Sequence, residues 1–164
     1  MMAVPGRRRD GPLSWRSGAA AWARSPRASA CRRSTGGHIA LHTAPIVLVV
    51  DDDELLREMF VLALQPEGYH IVQAENGTEA VRAIEQDPAP AVVVLDLMLP
   101  DMDGLQVLRY LHEHGVTIPV VAMSASPTLL GQAVREGAPA ALAKPFDLHQ
   151  MLALVASYCP PPQR

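Results

Sequence analysis

From Pro45 onward the chain alternates between short apolar runs and longer amphipathic ones. Ile46–Val50 and Ala91–Leu95 are apolar at every position. Runs of that length, rich in β-branched residues, predict strands buried on both faces. Tyr69–Ala74, Ile118–Met123 and Ala140–Ala143 predict three more, the last the weakest. Between them, Glu54–Leu64 places Leu55, Met59, Leu62 and Ala63 on one helical stripe, and Pro66 and Gly68 end it. Asn76-Gly77 reads as a turn, with Thr78 capping a helix over Glu79–Gln86 whose apolar side is Val81 and Ile84. Asp103 caps a helix from Gly104 to His114, with Leu105, Leu108 and Leu111 pointing inward. Ser126-Pro127 reads as N-cap and first residue of a helix that runs to Glu136 and stops at Gly137. Asp147 caps a last helix to Tyr158, and Pro160-Pro161-Pro162 ends the domain.

Five strands alternating with five helices through short connections favour parallel neighbours and right-handed crossovers. Strands that are apolar throughout require helices on both faces. The class expected is therefore α/β, an open, doubly wound parallel sheet. In such sheets the functional groups gather at the carboxyl ends of the strands, beside the switch point in strand order.

Charge divides the chain in two. Residues 1–44 hold eight arginines against one acid, a net +7. Residues 45–164 hold six basic and sixteen acidic residues, a net −10, so the overall −3 describes neither part. The first segment is rich in Arg, Ser, Gly, Ala and Pro, has no sustained apolar period, and is expected to be a disordered basic extension. An Arg- and Ser-rich transit peptide, nonspecific attraction to nucleic acid and a wrongly placed start codon fit it as well, and nothing in the sequence separates these. The chain thus divides into an extension, residues 1–44, a folded domain, residues 45–159, and a short tail, residues 160–164. The apolar runs fall far short of the ~20 residues of a membrane-spanning helix, so no span is expected. Two cysteines, Cys31 and Cys159, exclude a disulfide scaffold and a zinc site built from cysteines alone.

The strand ends carry the chemistry. Asp51-Asp52-Asp53 follows the first strand, Asp96 the third, Ser124 the fourth and Lys144 the fifth. Lys144 is the one lysine of the sequence. Clustered carboxylates repel one another and favour a bound cation. An all-oxygen site with few protein ligands suits Mg²⁺. A carboxylate can act as nucleophile toward a phosphoryl group, with a hydroxyl and an ammonium holding its oxygens. Each signal alone has a plainer reading as a cap or turn residue, and Asp53 is assigned that role, capping the first helix.

Ile46–Asp53 (IVLVVDDD), Asp96–Gly104 (DLMLPDMDG), Val120–Ser124 (VVAMS) and Lys144-Pro145-Phe146 (KPF) together resemble the receiver domain of two-component response regulators. The resemblance implies a flavodoxin-like (βα)5 fold with strand order 2-1-3-4-5. It implies Asp96 as phosphoacceptor, Asp51 and Asp52 as the acidic pair holding Mg²⁺, and Met98 as a metal ligand through its main-chain carbonyl. Ser124 matches the hydroxyl that turns toward the phosphoryl group, and Lys144 the lysine that contacts it. Met98 and Ser126 flank the site and are expected to tune phosphoryl lifetime. The implied partners are a sensor histidine kinase or histidine phosphotransfer protein as donor, and a separate downstream protein. The implied protein is cytoplasmic, a monomer or weak homodimer, a stoichiometric acceptor rather than an enzyme. Because the sequence stops after the fifth helix, it is expected to have no DNA-binding output domain. One position departs from the family pattern: Ala141 stands where an aromatic residue is usual, so the usual aromatic readout is expected to be missing.

Three rival classes fit less well. A haloacid-dehalogenase-type phosphatase needs a second Asp two residues after the nucleophile, where Met98 stands. A flavodoxin binds phosphate in a hydroxyl-rich first loop, which here is Asp51–Glu54. An EF-hand at Asp101–Gly104 has Leu99 and Tyr110 at its first and last ligand positions. The remaining alternative is a receiver fold that binds partners without being phosphorylated.

Overall fold

The computed structural model describes residues 44–162. The expected basic extension, apart from Ala44, and the last two residues of the tail lie outside the described residues. Five strands, β1 (Ile46–Val50), β2 (His70–Ala74), β3 (Val92–Asp96), β4 (Val120–Ser124) and β5 (Ala140–Ala143), form one sheet in the order β2-β1-β3-β4-β5. Every pairing is parallel. The helices are α1 (Glu54–Leu64), α2 (Gly77–Glu85), α3 (Gly104–Glu113), α4 (Pro127–Arg135) and α5 (Leu148–Tyr158). The expected class and strand order are both observed. Among the described residues no helix is long and apolar enough to cross a membrane.

Alternation along the inner strands builds two cores, one on each face. Leu48 and Val50 of β1 and Val93 and Leu95 of β3 join Ala80, Ile84, Leu105, Leu108, Leu111 and Ala133, so α2, α3 and α4 cover that face. Val47, Val49, Val92 and Val94 point the other way, onto Phe60 and Leu64 of α1 and Met151 and Val155 of α5. Burial on both sides is why β1 and β3 carry no polar residue before their last position, and each fully buried large side chain contributes about 1.5–3 kcal/mol.

The structure corrects the inward face of α1. Leu55 and Leu62, expected in the core, are 75% and 76% exposed. Phe60 and Leu64 are buried instead, with Leu56 and Met59 partly so. Phe60, the bulkiest residue of the helix, decides the rotation by stacking on Phe146 at 6.0 Å between ring centroids. The start of α2 also differs. Asn76, not Thr78, is the N-cap: it has extended backbone angles and its side chain accepts from the Glu79 amide at 2.8 Å. Gly77 is thereby the first helical residue rather than part of a turn.

Candidate functional site

Register assembles the site. β1 and β3 pair Val50 with Leu95, which brings the next residue on each, Asp51 and Asp96, level at the carboxyl edge. β3 and β4 pair Asp96 with Met123, and β4 and β5 pair Ser124 with Ala143, so Lys144 follows one step beyond. Asp96 and Ser124 are the last residues of their strands. The main-chain amide of Lys144 donates to the Ser124 carbonyl at 2.9 Å and carries the ladder past β5. The Lys144–Pro145 peptide is cis.

Lys144 Nζ donates to Asp51 Oδ2 at 2.8 Å and to Asp96 Oδ2 at 2.5 Å. Asp51 is 1% exposed and Asp96 5%, whereas Asp52 is exposed. The second oxygens are also held. Asp51 Oδ1 accepts from the Asp53 amide at 3.0 Å, and Asp96 Oδ1 from the Met98 amide at 3.0 Å. Burial pushes the Asp51 carboxyl above its ordinary value, against the lowering pull of Lys144 and the Asp53 amide. Burial also pulls the Lys144 ammonium down, but its bonds to Asp51 and Asp96 outweigh that and leave its pKa above the usual lysine value. Asp53 caps α1 as expected, accepting from Leu55 and Leu56.

Ser124 is fully buried, and its Oγ accepts from the Ser126 amide at 3.1 Å. Ser126 in turn caps α4. Met98 lies at the rim with its side chain exposed. Ala141 is exposed on β5 between two inward neighbours' positions and leaves that edge without an aromatic ring. His112, Glu113 and His114 are exposed at the end of α3 and take no part in the site.

The donor set fits a hard divalent cation. Asp51, Asp52 and Asp96 each present one carboxylate oxygen, and the three lie within 4.8 Å of one another. Three carboxylates facing a single ammonium leave uncompensated negative charge. Oxygen donors few in number, one of them open to water, match the preference of Mg²⁺.

Two contributors escaped the sequence reading. Arg57, one turn into α1, donates from Nη1 to the Asp51 carbonyl at 2.7 Å and holds the acidic loop. Its signal was its place as the one basic residue of α1. Asp101 reaches across to Thr78 and the start of α2, a contact between residues 23 apart for which the sequence carries no local signal.

The family model described as the response regulator receiver domain matches residues 47–156. The chain belongs to that family. Among curated proteins, this receiver is 36% identical over 123 residues to a probable transcriptional regulatory protein of Picosynechococcus, covering 69% of this chain and 48% of that one. A putative response regulator from Chloroflexus aurantiacus superimposes with a TM-score of 0.66 at 27% identity, covering 71% of this chain and 98% of that one. CheY of Borrelia burgdorferi, solved in a complex with CheX, BeF3 and Mg²⁺, gives a TM-score of 0.63 at 29% identity, covering 69% of this chain and 87% of that one.

The chain spans about half the length of the curated relatives it matches, 42% to 48% of the first four. Three of those four are named transcriptional regulatory proteins. That overturns the expectation of a receiver without a DNA-binding output domain. The match takes in only about half of each such regulator, and a receiver's last helix is no guide to what a whole regulator carries.

Proposed function

We propose that this receiver takes a phosphoryl group from a phosphohistidine of a partner kinase or phosphotransfer protein onto Asp96, with Mg²⁺, and thereby changes its binding surface. The observation that carries the reading is the bridge from Lys144 to two buried carboxylates with a third beside them. The Borrelia CheY complex with Mg²⁺ and BeF3, a phosphoryl mimic, supports the same chemistry on a similar fold.

Asp51, Asp52, Asp96 and the Met98 carbonyl would hold the cation, which supplies positive charge to the transferring oxygens. An Asp96 oxygen attacks phosphorus as the P–N bond breaks. The electron pair leaves with the imidazole nitrogen, which takes a proton, and Asp96 becomes an acyl phosphate. Lys144 then exchanges one carboxylate bond for a phosphoryl oxygen. Ser124, already buried at the end of β4, turns its hydroxyl to a second oxygen, and this releases the Ser126 amide at the start of α4. The β4–α4 connection therefore moves, and with Ala141 on β5 the response is carried by that connection rather than by an aromatic ring. One group is taken per chain, so the protein is a stoichiometric acceptor. A cytoplasmic location is proposed with that donor, as the compartment where both would meet.

Incubation with acetyl phosphate and Mg²⁺, followed by intact mass, tests the proposal. One added phosphoryl group, absent in Asp96→Asn and with chelator, is expected. No adduct, with Mg²⁺-insensitive amide shifts, would overturn the proposal and favour a phosphorylation-independent binding module.

A further inference from the structure

The loop from Asp96 to Gly104 is fastened at its ends and at its middle. At its start the Met98 amide donates to Asp96 Oδ1. At its end the Gly104 amide donates to the Leu97 carbonyl at 3.3 Å, and a Cβ on Gly104 would lie 2.5 Å from the Asp96 carbonyl oxygen. In the middle stands Asp101. Its Oδ1 accepts from the Gly77 amide at 3.0 Å, and its Oδ2 from the Thr78 amide at 3.3 Å and from Thr78 Oγ1 at 2.6 Å. The loop also presses directly on α2, since a Cβ on Gly77 would come 2.2 Å from the Met102 carbonyl oxygen.

Asp101 is exposed and belongs to neither core. Core packing therefore gives it no task. A carboxylate at the start of a helix gains from the unpaired amides and the dipole there. The Thr78 hydroxyl, then the Met102 amide and the two α2 amides, hold it well below the usual carboxylate range, to about 2, so it stays charged at neutral pH. Only Leu99 and Pro100 separate Met98 from Asp101, and the proline ring fixes one of the intervening torsions. The position of the Met98 main chain beside the acids is thus set from α2.

We infer that Asp101 is a positioning residue for the cation site: by latching the loop to the first turn of α2 it sets the Met98 main chain against Asp51 and Asp96, and so governs divalent-cation affinity. The inference rests on the cation reading proposed above. Groups that hydrogen-bond a metal's ligands typically alter its affinity by about 10–100-fold when removed, and Asp101, which acts through the loop and bonds Gly77 and Thr78 instead, belongs at the lower end of that range.

The test uses the full chain, Mg²⁺ alone as probe, and the variants Asp101→Ala and Thr78→Val. Amide shifts give the Mg²⁺ dissociation constant, and acetyl phosphate labelling gives the rate against Mg²⁺ concentration. Asp101→Ala is expected to raise the dissociation constant about tenfold while the rate at saturating Mg²⁺ stays within about twofold. Thr78→Val, which removes one donor and leaves the helix intact, shifts the constant in the same direction by less. A purely structural latch moves melting temperature without moving this split. Unchanged Mg²⁺ affinity in both folded variants overturns the latch and leaves the cation reading standing. Absence of Mg²⁺ binding in the unmodified chain overturns both.

Discussion

Replacing Asp52 with asparagine should stabilise the cation-free protein and destroy its response to Mg²⁺. Asp52 is exposed, and its oxygen lies within 4.8 Å of those of Asp51 and Asp96. Those two carboxylates share the single ammonium of Lys144, so Asp52 faces one net negative charge. At 4.8 Å, unit charges repel by about 0.9 kcal/mol in water and about 3.5 kcal/mol at an effective dielectric of about 20. Exposure puts Asp52 near the lower figure, so about 1 kcal/mol is released when its charge goes. For a domain of this size that raises the melting temperature by roughly 4–6 °C. The unmodified protein should move the other way on adding cation. At one hundred times the dissociation constant, Mg²⁺ stabilises it by about 2.7 kcal/mol. Asp52→Asn should show almost none of that gain. Thermal unfolding in chelator and in Mg²⁺, for both proteins, gives the four temperatures needed. A fall in melting temperature for Asp52→Asn in chelator would show that the acids are not in net repulsion, and the electrostatic account of the site would fail.

Gly104→Ala should destabilise by about 1–3 kcal/mol in urea unfolding, because the new Cβ meets the Asp96 carbonyl oxygen at 2.5 Å and the Leu97 Cα at 2.8 Å, both on rigid backbone. Labelling at Asp96 should fall with it, since the strain lands on the phosphoacceptor's own peptide. Asp101 gives a pH signature. Its folded pKa of about 2 lies below the unfolded value of 3.8, so its stabilisation is present above 3.8 and is lost as pH falls through about 2. The group is solvent-exposed, which screens the effect to less than about 1 kcal/mol. Acid unfolding of Asp101→Asn should therefore converge with the unmodified protein near pH 2 and lie below it at pH 5.

The strands were legible because β1 and β3 are buried on both faces, which leaves an unbroken apolar run that few other structures produce. The site was legible for a related reason. Parallel strands deliver whatever follows them to one edge, so Asp51, Asp96, Ser124 and Lys144 could be grouped without knowing a single distance. The rotation of α1 was not legible. Leu55 and Leu62 are as apolar as Leu56 and Leu64, and the face that holds Phe60 is selected by tertiary partners, the sheet valines and the ring of Phe146 from 86 residues away. The α2 cap was misplaced because Asn76 and Thr78 are both good capping residues. Thr78 is claimed by Asp101, and that claim is tertiary.

The two acids bridged by Lys144 hang from β1 and β3, inner strands fully buried over Val47–Val50 and Val92–Leu95, while the lysine follows β5, an edge strand with Ala141 and Ala143 exposed. Amide exchange should sort the site accordingly. The amides of β1 and β3 open only when the whole domain unfolds, whereas those of β5 open by local fraying. The floor of the site is thus among the slowest parts of the molecule and its counter-charge among the fastest. Each time the end of β5 frays, Lys144 leaves two buried carboxylates without their counter-charge.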